Sequence, residues 1–502
     1  MRHERQRRAR YQRAIGLAAC LLSAACNLPF ATSKAAYLEP ETLAPKDSSE
    51  PWQPQAGDLD AERETTRVLA REDRQLSAAE SYDLATLVDV AMRTNPRTRE
   101  AWEAARVRAA AFGGTLGGYL PDIGVQVEGG NARYLFESRE SPNIVTQYSI
   151  TPLVQLEWIL FDFGRRPERA ESARRQLLAA NLNFNRALQE VLFSVQTTYF
   201  ALDAAGGMLR AAESNFVSAH SVASAAEERL ARGLATRSDV LLARQAEAKA
   251  AYELESARVL VSDAEANLAL AVGVPANQSI HIQPMEDVPL ELSGSVDALI
   301  DVALAERPDL AARVEELRAQ EAIAREAKAD LYPVIYAAGN YGLDAWWYQF
   351  SGPPTVQSDT PVWNAGLGLR WSIFEGFERL NTIREAEAEA SRVRARLERA
   401  ELETIAAVWR AYHDQRAAVK KYEYAQALLD SSQEAYEGNL ESYRHGLATV
   451  VDLLKAEGDL AEARYILVQS RADLLTQAAR IAYVAGAIPD SESGSDQLRN
   501  SP

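Results

Sequence analysis

Two stretches decide how this chain folds: RLARGLATRSDVLLARQ, Arg229–Gln245, and SYRHGLATVVDLLKAEG, Ser442–Gly458. Each places a glycine after a charged helical run, at Gly233 and Gly446, and follows it with Leu-Ala-Thr and an aspartate three residues further on. A glycine there supplies the left-handed residue that ends a helix. Thr236 with Asp239, and Thr449 with Asp452, have the spacing of a capping box that starts the next helix. Each stretch therefore predicts the tip of a helix hairpin, and the two glycines stand 213 residues apart.

Working outward from the tips, the same offset recurs along the chain. LATLVDVAMRTNP from Leu84 matches DALIDVALAERP from Asp297, with Pro96 on Pro308. Pro121 falls on Pro333, Trp158-Ile-Leu-Phe161 on Trp371-Ser-Ile-Phe374, and AVGVP at Ala271 on VAGAIP at Val484. The anchors keep one order and drift by a single residue, so the body is a tandem duplication with halves at 82–290 and 291–490.

Hydrophobic periodicity then parses each half. It predicts helices over about 84–116, 165–232 and 236–272, and again over about 296–331, 378–445 and 449–485. Between the first and second helix of each half lie alternating segments that read as strands of about 10–12 residues. From Val362 to Ile373, Trp363, Ala365, Leu367, Leu369 and Trp371 share one face, opposite Asn364, Gly366, Gly368 and Arg370. In the first half Val154, Leu156 and Trp158 alternate with Gln155 and Glu157. A soluble sandwich and a membrane barrel both fit that period. A barrel would put Trp363 on the lipid side, Trp158 and Trp371 on the lipid side or at its interface, and Glu157 and Arg370 inside; the segment DAWWYQFSGPP reads as a loop whose Trp346, Trp347 and Tyr348 form an interfacial girdle. Four strands cannot close a barrel and open edges are not tolerated in lipid, so copies would have to pool their strands.

Composition agrees with a mainly helical chain. Its 502 residues are 47% hydrophobic, and the net charge of −17 argues against a nucleic-acid partner. Two cysteines, Cys20 and Cys26, cannot staple the body. Both lie in an N-terminus with six arginines ahead of an apolar run from Ala14 to Ala25, which reads as an export signal too short to span a bilayer. Leu22-Ser-Ala-Ala25 before Cys26 resembles a lipoprotein cleavage box. Leu17-Ala-Ala19 before Cys20 has the better residues, but only about six apolar residues precede it. An ordinary cleaved signal also fits. Residues 1–25 are accordingly a signal peptide, 26–81 a Pro- and Ser-rich tether behind a lipidated Cys26, and 491–502 a disordered tail.

With order and spacing in hand, the chain resembles the TolC family of bacterial outer-membrane ducts. The resemblance rests on the repeated strand starts at Pro121 and Pro333, on Phe161-Asp-Phe-Gly164 with Phe374-Glu-Gly376, and on both tips. It implies a mainly α protein with a transmembrane β-barrel portion: a homotrimer with a 12-stranded barrel continuous with a helical tunnel. The tips, Gly233, Leu234, Ala235 and Thr236 with Gly446, Leu447, Ala448 and Thr449, would dock a periplasmic adaptor that links the duct to an inner-membrane transporter. The resemblance also implies a periplasmic gate at Tyr443, Asp452, Lys455 and Asp239. Ala448 stands where the family has an arginine and Lys455 where it has a second aspartate, so Asp239 needs another donor.

Neither a cofactor nor catalysis is expected. The five histidines show no metal-ligand spacing, and Gly113-Gly-Thr-Leu-Gly-Gly118 lacks the lysine of a phosphate loop. Export of proteins rather than small molecules, and a poreless periplasmic coiled-coil scaffold, are the alternatives. Acylation is expected at Cys26, which mass spectrometry of the mature N-terminal peptide checks; an unmodified terminus beyond Cys26 contradicts it.

Overall fold

Proline divides the first helix of each half. Where one helix was expected over about 84–116, two occur: α1, Leu84–Thr94, and α2, Pro96–Gly117. Asn95 between them is extended, with ψ 126°, because a proline ring excludes the helical conformation from the residue before it. The second half repeats the break at Arg307, ψ 119°, between α5, Val296–Glu306, and α6, Pro308–Ala329. These elements come from a computed structural model that describes residues 81–137, 142–278, 280–285, 295–350 and 356–486, all within one unit from Asp73 to Pro502. The signal segment, Cys20, Cys26, the tether and the C-terminal tail lie outside the described residues.

The remaining helices follow the expected boundaries within a residue or two. Helix α3, Arg165–Ala231, and α7, Glu378–Arg444, have 67 residues each, about 100 Å at 1.5 Å per residue. Helices α4, Arg237–Val272, and α8, Val450–Ala485, return beside them with 36 residues each. Buried small residues recur every seven positions: Ala243, Ala250, Ala257 and Ala264 on α4, and Thr404, Ala411, Ala418, Ala425 and Ser432 on α7. A strict seven-residue seam winds helices into left-handed coiled coils, and small side chains let the backbones approach closely. Helix α3 packs against α2 and α4 of its own half and against α6 and α8 of the other. Ion pairs Arg169–Glu326, Arg175–Glu315 and Arg325–Glu168 tie α3 to α6.

Strands β2, Asp122–Glu137, β3, Pro142–Phe161, β5, Val334–Phe350, and β6, Val356–Arg370, form an antiparallel sheet in the order β2-β3-β5-β6. Each half contributes one hairpin, and β3 joins β5 across the duplication. At 15–20 residues the strands exceed the expected 10–12. Two expectations need correction. Trp346, Trp347 and Tyr348 belong to β5 rather than to a loop, and Trp371 lies one residue beyond β6 instead of on its lipid face. A two-residue parallel pair, β1 at Ser81–Tyr82 with β4 at His281–Ile282, caps the middle of α3. There the buried Tyr199 hydroxyl donates to the Gln283 carbonyl at 2.5 Å; burial, with Asp203 and Asp83 nearby, pushes its pKa to about 12.

The prolines and the AVG/VAG anchors turn out to be two sides of one joint. The Asn95 amide donates to the Ala271 carbonyl at 2.7 Å, and Thr94 donates to Val272 at 3.0 Å. Gly273, with φ 89°, ends α4 beneath them, and a Cβ there would lie 2.7 Å from the Asn95 Cα. Gly486, φ 81°, meets Arg307 in the same way. Gly273→Ala therefore combines left-handed backbone strain of about 1–2 kcal/mol with a steric overlap. Its unfolding midpoint in denaturant should drop by more than that of Gly458→Ala, where a Cβ meets open space.

Candidate functional site: the barrel wall and the hairpin tips

Register sorts the four-stranded sheet into two chemically distinct faces. Ile123 opposes Leu156, Val125 opposes Val154, and Tyr341 sits between Val154 and Trp363. That face continues through Leu367 and Leu369 and is open: Trp363 is 73% exposed and Leu367 77%. The other face is polar and internally bonded. The Gln155 amide donates to Gln126, Gln126 donates to Glu128, and Thr151 donates to Asp344. Arg370 pairs with Glu157 at 3.1 Å and lies over the Tyr336 ring at 5.0 Å. Four carboxylates, Asp122, Glu128, Glu157 and Asp344, share this face with one arginine. A sheet with one bare apolar face and one wet face is the wall of a membrane barrel, not half of a sandwich. Among the described residues no helix is long and apolar enough to cross a membrane.

Two aromatic levels bound the apolar face. Tyr148 stacks on Trp347 with ring centroids 5.6 Å apart. Ten residues further along β3 stands Trp158, about 34 Å away at strand rise and about 26 Å in height at a barrel tilt near 40°. The apolar band of such barrels is about 25 Å tall. The second level lies at the corner between strand and helix. Trp158 donates its indole N–H to the Tyr119 carbonyl at 2.9 Å, and Trp371 donates to Leu331 at 3.0 Å. Nearby in the sequence, Phe163 stacks on Tyr332 and meets Phe161 edge-on, and Phe374 meets Phe377 edge-on. Apolar rings with a bonded polar end suit a membrane–water interface. The signal in the sequence was the repeated W-x-x-F with its glycine, whose Phe163 and Phe377 take positive φ at the corner.

At the opposite end of the long helices, both tips close as Schellman motifs. Leu234 N–H donates to the Arg229 carbonyl and Gly233 N–H to Leu230; Leu447 and Gly446 repeat this with Ser442 and Tyr443. Gly233 and Gly446 have φ 74° and 76°. Both capping boxes form: Asp239 accepts the Thr236 N–H at 2.8 Å, and Asp452 accepts the Thr449 N–H at 3.0 Å and its hydroxyl at 2.6 Å. These Thr449 bonds, side chain first, hold the Asp452 carboxyl below its ordinary range, and Lys455 adds to the effect. Leu234 and Leu447 are 64% and 84% exposed, whereas Ala448 packs partly into the tip core.

Of the residues expected at the gate, Asp452 and Lys455 are exposed, one turn apart on α8. Tyr443 is buried inside the tip among Val222, Val240 and Leu453. Burial raises its phenol; Arg229 opposes the shift and Asp239 reinforces it. Arg229 went unnoticed in the sequence because it lies in the first half while its partner lies in the second. Its guanidinium covers the Tyr443 ring at 4.7 Å and donates to the Tyr443 carbonyl.

Comparison with known proteins agrees with this geometry. Residues 87–274 and 299–487 match, in tandem, the family described as outer membrane efflux protein. Protein CyaE of Bordetella pertussis is 30% identical over 421 residues, covering 82% of this chain and 86% of that protein. The alkaline protease secretion protein AprF of Pseudomonas aeruginosa is 24% identical over 352 residues, covering 68% of this chain and 71% of that protein. Among solved structures, the outer membrane protein VceC of Vibrio cholerae matches with a TM-score of 0.68 at 18% identity, over 80% of this chain and 96% of that one. The last likeness concerns the fold alone.

Behind the tips lies a group at odds with its surroundings. Glu457 of α8 is 8% exposed and has no hydrogen bond or ion pair among the described residues. Glu253 and Lys249 of α4, Arg464 of α8 and Tyr436 of α7 face it, and Ser218 of α3 bonds Tyr436. Burial raises the Glu457 pKa, Glu253 raises it further, and Lys249 and Arg464 oppose the shift. A carboxyl with a raised folded pKa contributes stability below its unfolded value and loses it as pH rises through the folded value. Between pH 4.5 and 8 the thermal midpoint should therefore fall with rising pH more steeply in the wild-type protein than in Glu457→Gln. Parallel pH profiles would show that Glu457 is solvated in the folded protein.

Proposed function

The chain belongs to the outer membrane efflux protein family, and on that premise we propose that three copies pool their strands into one twelve-stranded barrel continuous with a helical tunnel. The observation that carries this reading is the open sheet: β2 and β6 are edge strands of 16 and 15 residues, each paired on one side only among the described residues. In hydrocarbon an unpaired edge is prohibitively costly, and a closed ring of strands removes it. The apolar face with Trp158 and Trp363 turns to lipid, and the face with Glu157 and Arg370 lines the lumen. Its excess of carboxylates favours cations.

The protein is thus an outer-membrane channel of an export system, conducting passively what a pump delivers. A poreless scaffold would need no two-faced sheet. The exposed Leu234 and Leu447 form the surface for a periplasmic adaptor, which connects the duct to an inner-membrane transporter. Lys455 and Asp452, with Tyr443 and Asp239 behind them, make the periplasmic gate, and acylated Cys26 anchors each copy to outer-membrane lipid. AprF is named for secretion of a protease, and that supports a protein cargo as a second reading.

Purified in detergent, the protein should run as a trimer of 55.2 kDa chains and form pores in planar bilayers; an intact, sheet-containing monomer is the contrary result. The double variant Leu234→Asp, Leu447→Asp should keep trimer and pore while export from cells is lost. Full export by that variant excludes docking at the tips.

A further inference from the structure

We propose that Trp346, Tyr348 and Asp344 form a binding site for organic cations inside the barrel, at the end remote from the helices. The proposal rests on the reading of the polar face of the sheet as the lumen of a pore. Strand β5 starts beside the helices at Val334 and carries these three residues toward its far end at Phe350. The pairing there runs without a register shift: Trp347 opposes Tyr148, while Trp346 opposes Ser149 on one side and Ser358 on the other. Strict alternation therefore divides the aromatic run of β5 between the two faces. Trp347 stacks on Tyr148 at the lipid side. Trp346 and Tyr348 share the polar face with Asp344, which accepts the Thr151 hydroxyl at 3.2 Å.

Aromatic side chains at this height have an ordinary role on the lipid side, where they settle at the interface. On the polar face no hydrocarbon meets them. The Trp346 and Tyr348 rings instead lie against each other, with centroids 4.5 Å apart and planes tilted by 52°. Both are half-buried, and Val145 on the same face of β3 is 2% exposed, so side chains crowd this end of the face. The residues opposite are polar, Ser149 and Gln147 on β3 and Ser358 on β6, and the Ser358 hydroxyl bonds that of Thr360 at 3.0 Å. At the repeat offset of 212 the corresponding residues of the first half are again aromatic, Tyr134 and Phe136.

The chemistry of the set decides what it recognises. Indole and phenol faces carry negative potential and attract cations, most strongly where water is partly displaced. Asp344 stands two residues before Trp346, about 7 Å along the strand, and adds a formal negative charge. Arg370, the arginine of this face, pairs with Glu157 at the opposite end of the sheet and leaves Asp344 unneutralised. An alkylammonium ion with apolar arms fits both parts, its charge toward the carboxylate and its arms against the rings. Anions are repelled by both. Three copies in a ring place three such sites around one lumen.

Block by tetrabutylammonium, recorded in planar bilayers from the full mature protein, tests the site. Trp346→Leu with Tyr348→Leu keeps apolar bulk without a π face, and Trp346→Phe with Tyr348→Phe keeps both. Asp344→Asn removes the charge, and Tyr341→Leu, on the lipid face of the same strand, is the control. The half-blocking concentration should rise about tenfold in the double leucine variant and rise also in Asp344→Asn. The double phenylalanine variant should stay within about threefold of wild type, and Tyr341→Leu should match it. A conducting wild-type pore that is not blocked, or equal block in wild type and the double leucine variant, overturns the proposal and leaves the channel reading standing. If the double leucine variant does not insert, unchanged block in Asp344→Asn overturns it. Saturation transfer from the detergent-solubilised protein to the butyl protons, observed by NMR, reads binding without conduction. If nothing conducts but transfer is lost in the double leucine variant and kept in Tyr341→Leu, the site stands and the channel reading falls. If transfer is then the same in every variant, both fall.

Discussion

Every backbone N–H and C=O within hydrocarbon needs a partner, and this chain supplies partners for only part of its own sheet. Strands β3 and β5 are paired on both sides; β2 and β6 are paired on one. The protein is consequently incomplete as a single copy in a way that no side-chain change repairs. The helical body has the same character. Tyr252 and Leu270 of α4, and Leu402 and Tyr424 of α7, lie exposed on helices that make only part of their contacts within the chain. Sheet edges and helix flanks both ask for further copies of the same chain, and a closed ring answers both.

A duplicated chain meets that demand economically. Each half folds a strand hairpin at one end and a helix hairpin at the other, and the joint between short and long helices is built from one pre-proline residue seated on one C-terminal glycine. Asn95 over Gly273 and Arg307 over Gly486 are the same solution with different side chains. Asn95 bonds the facing helix end directly, while Arg307 pairs with Asp309 at 2.7 Å and reaches the Val484 carbonyl. Backbone geometry is what the repeat preserves, and the side chains that stabilise it have drifted.

Much of this was legible in the sequence. Helix ends, both Schellman glycines and both capping boxes depend on contacts within six residues, so local pattern sufficed to place them. Alternation likewise sorted the strand faces, since a period of two survives in any register. The missed features have longer causes. Pro96 and Pro308 were recognised as repeat anchors but not as helix breaks, because apolar periodicity runs through them on both sides. Strand lengths were short by several residues because polar residues such as Gln147, Thr146 and Ser358 continue the strands beyond the apolar band, where hydrophobic contrast disappears. Trp371 was placed inside a strand by alternation that continues past Arg370 although pairing stops there. Arg229 and Tyr443 are separated by the whole repeat, and no local pattern connects them.

Divergence between the halves is where a symmetric scaffold acquires polarity. Glu157 and Arg370 occupy equivalent positions of the repeat, 213 residues apart, and they pair with each other across β5. Had the ancestral residue been kept twice, two like charges would face one another on the polar wall at a cost in repulsion. Opposite charges turn that contact into an attraction and allow Tyr336 to lie flat beneath the guanidinium, in space that Gly368 leaves open. In a ring of three copies the six equivalent positions then alternate in sign around the base of the barrel. At the other end Arg229 and Tyr443 exploit the same freedom, with each half supplying what the other lacks. Pairs of this kind can arise only after duplication, because in a ring of identical half-size units every such position would carry the same residue.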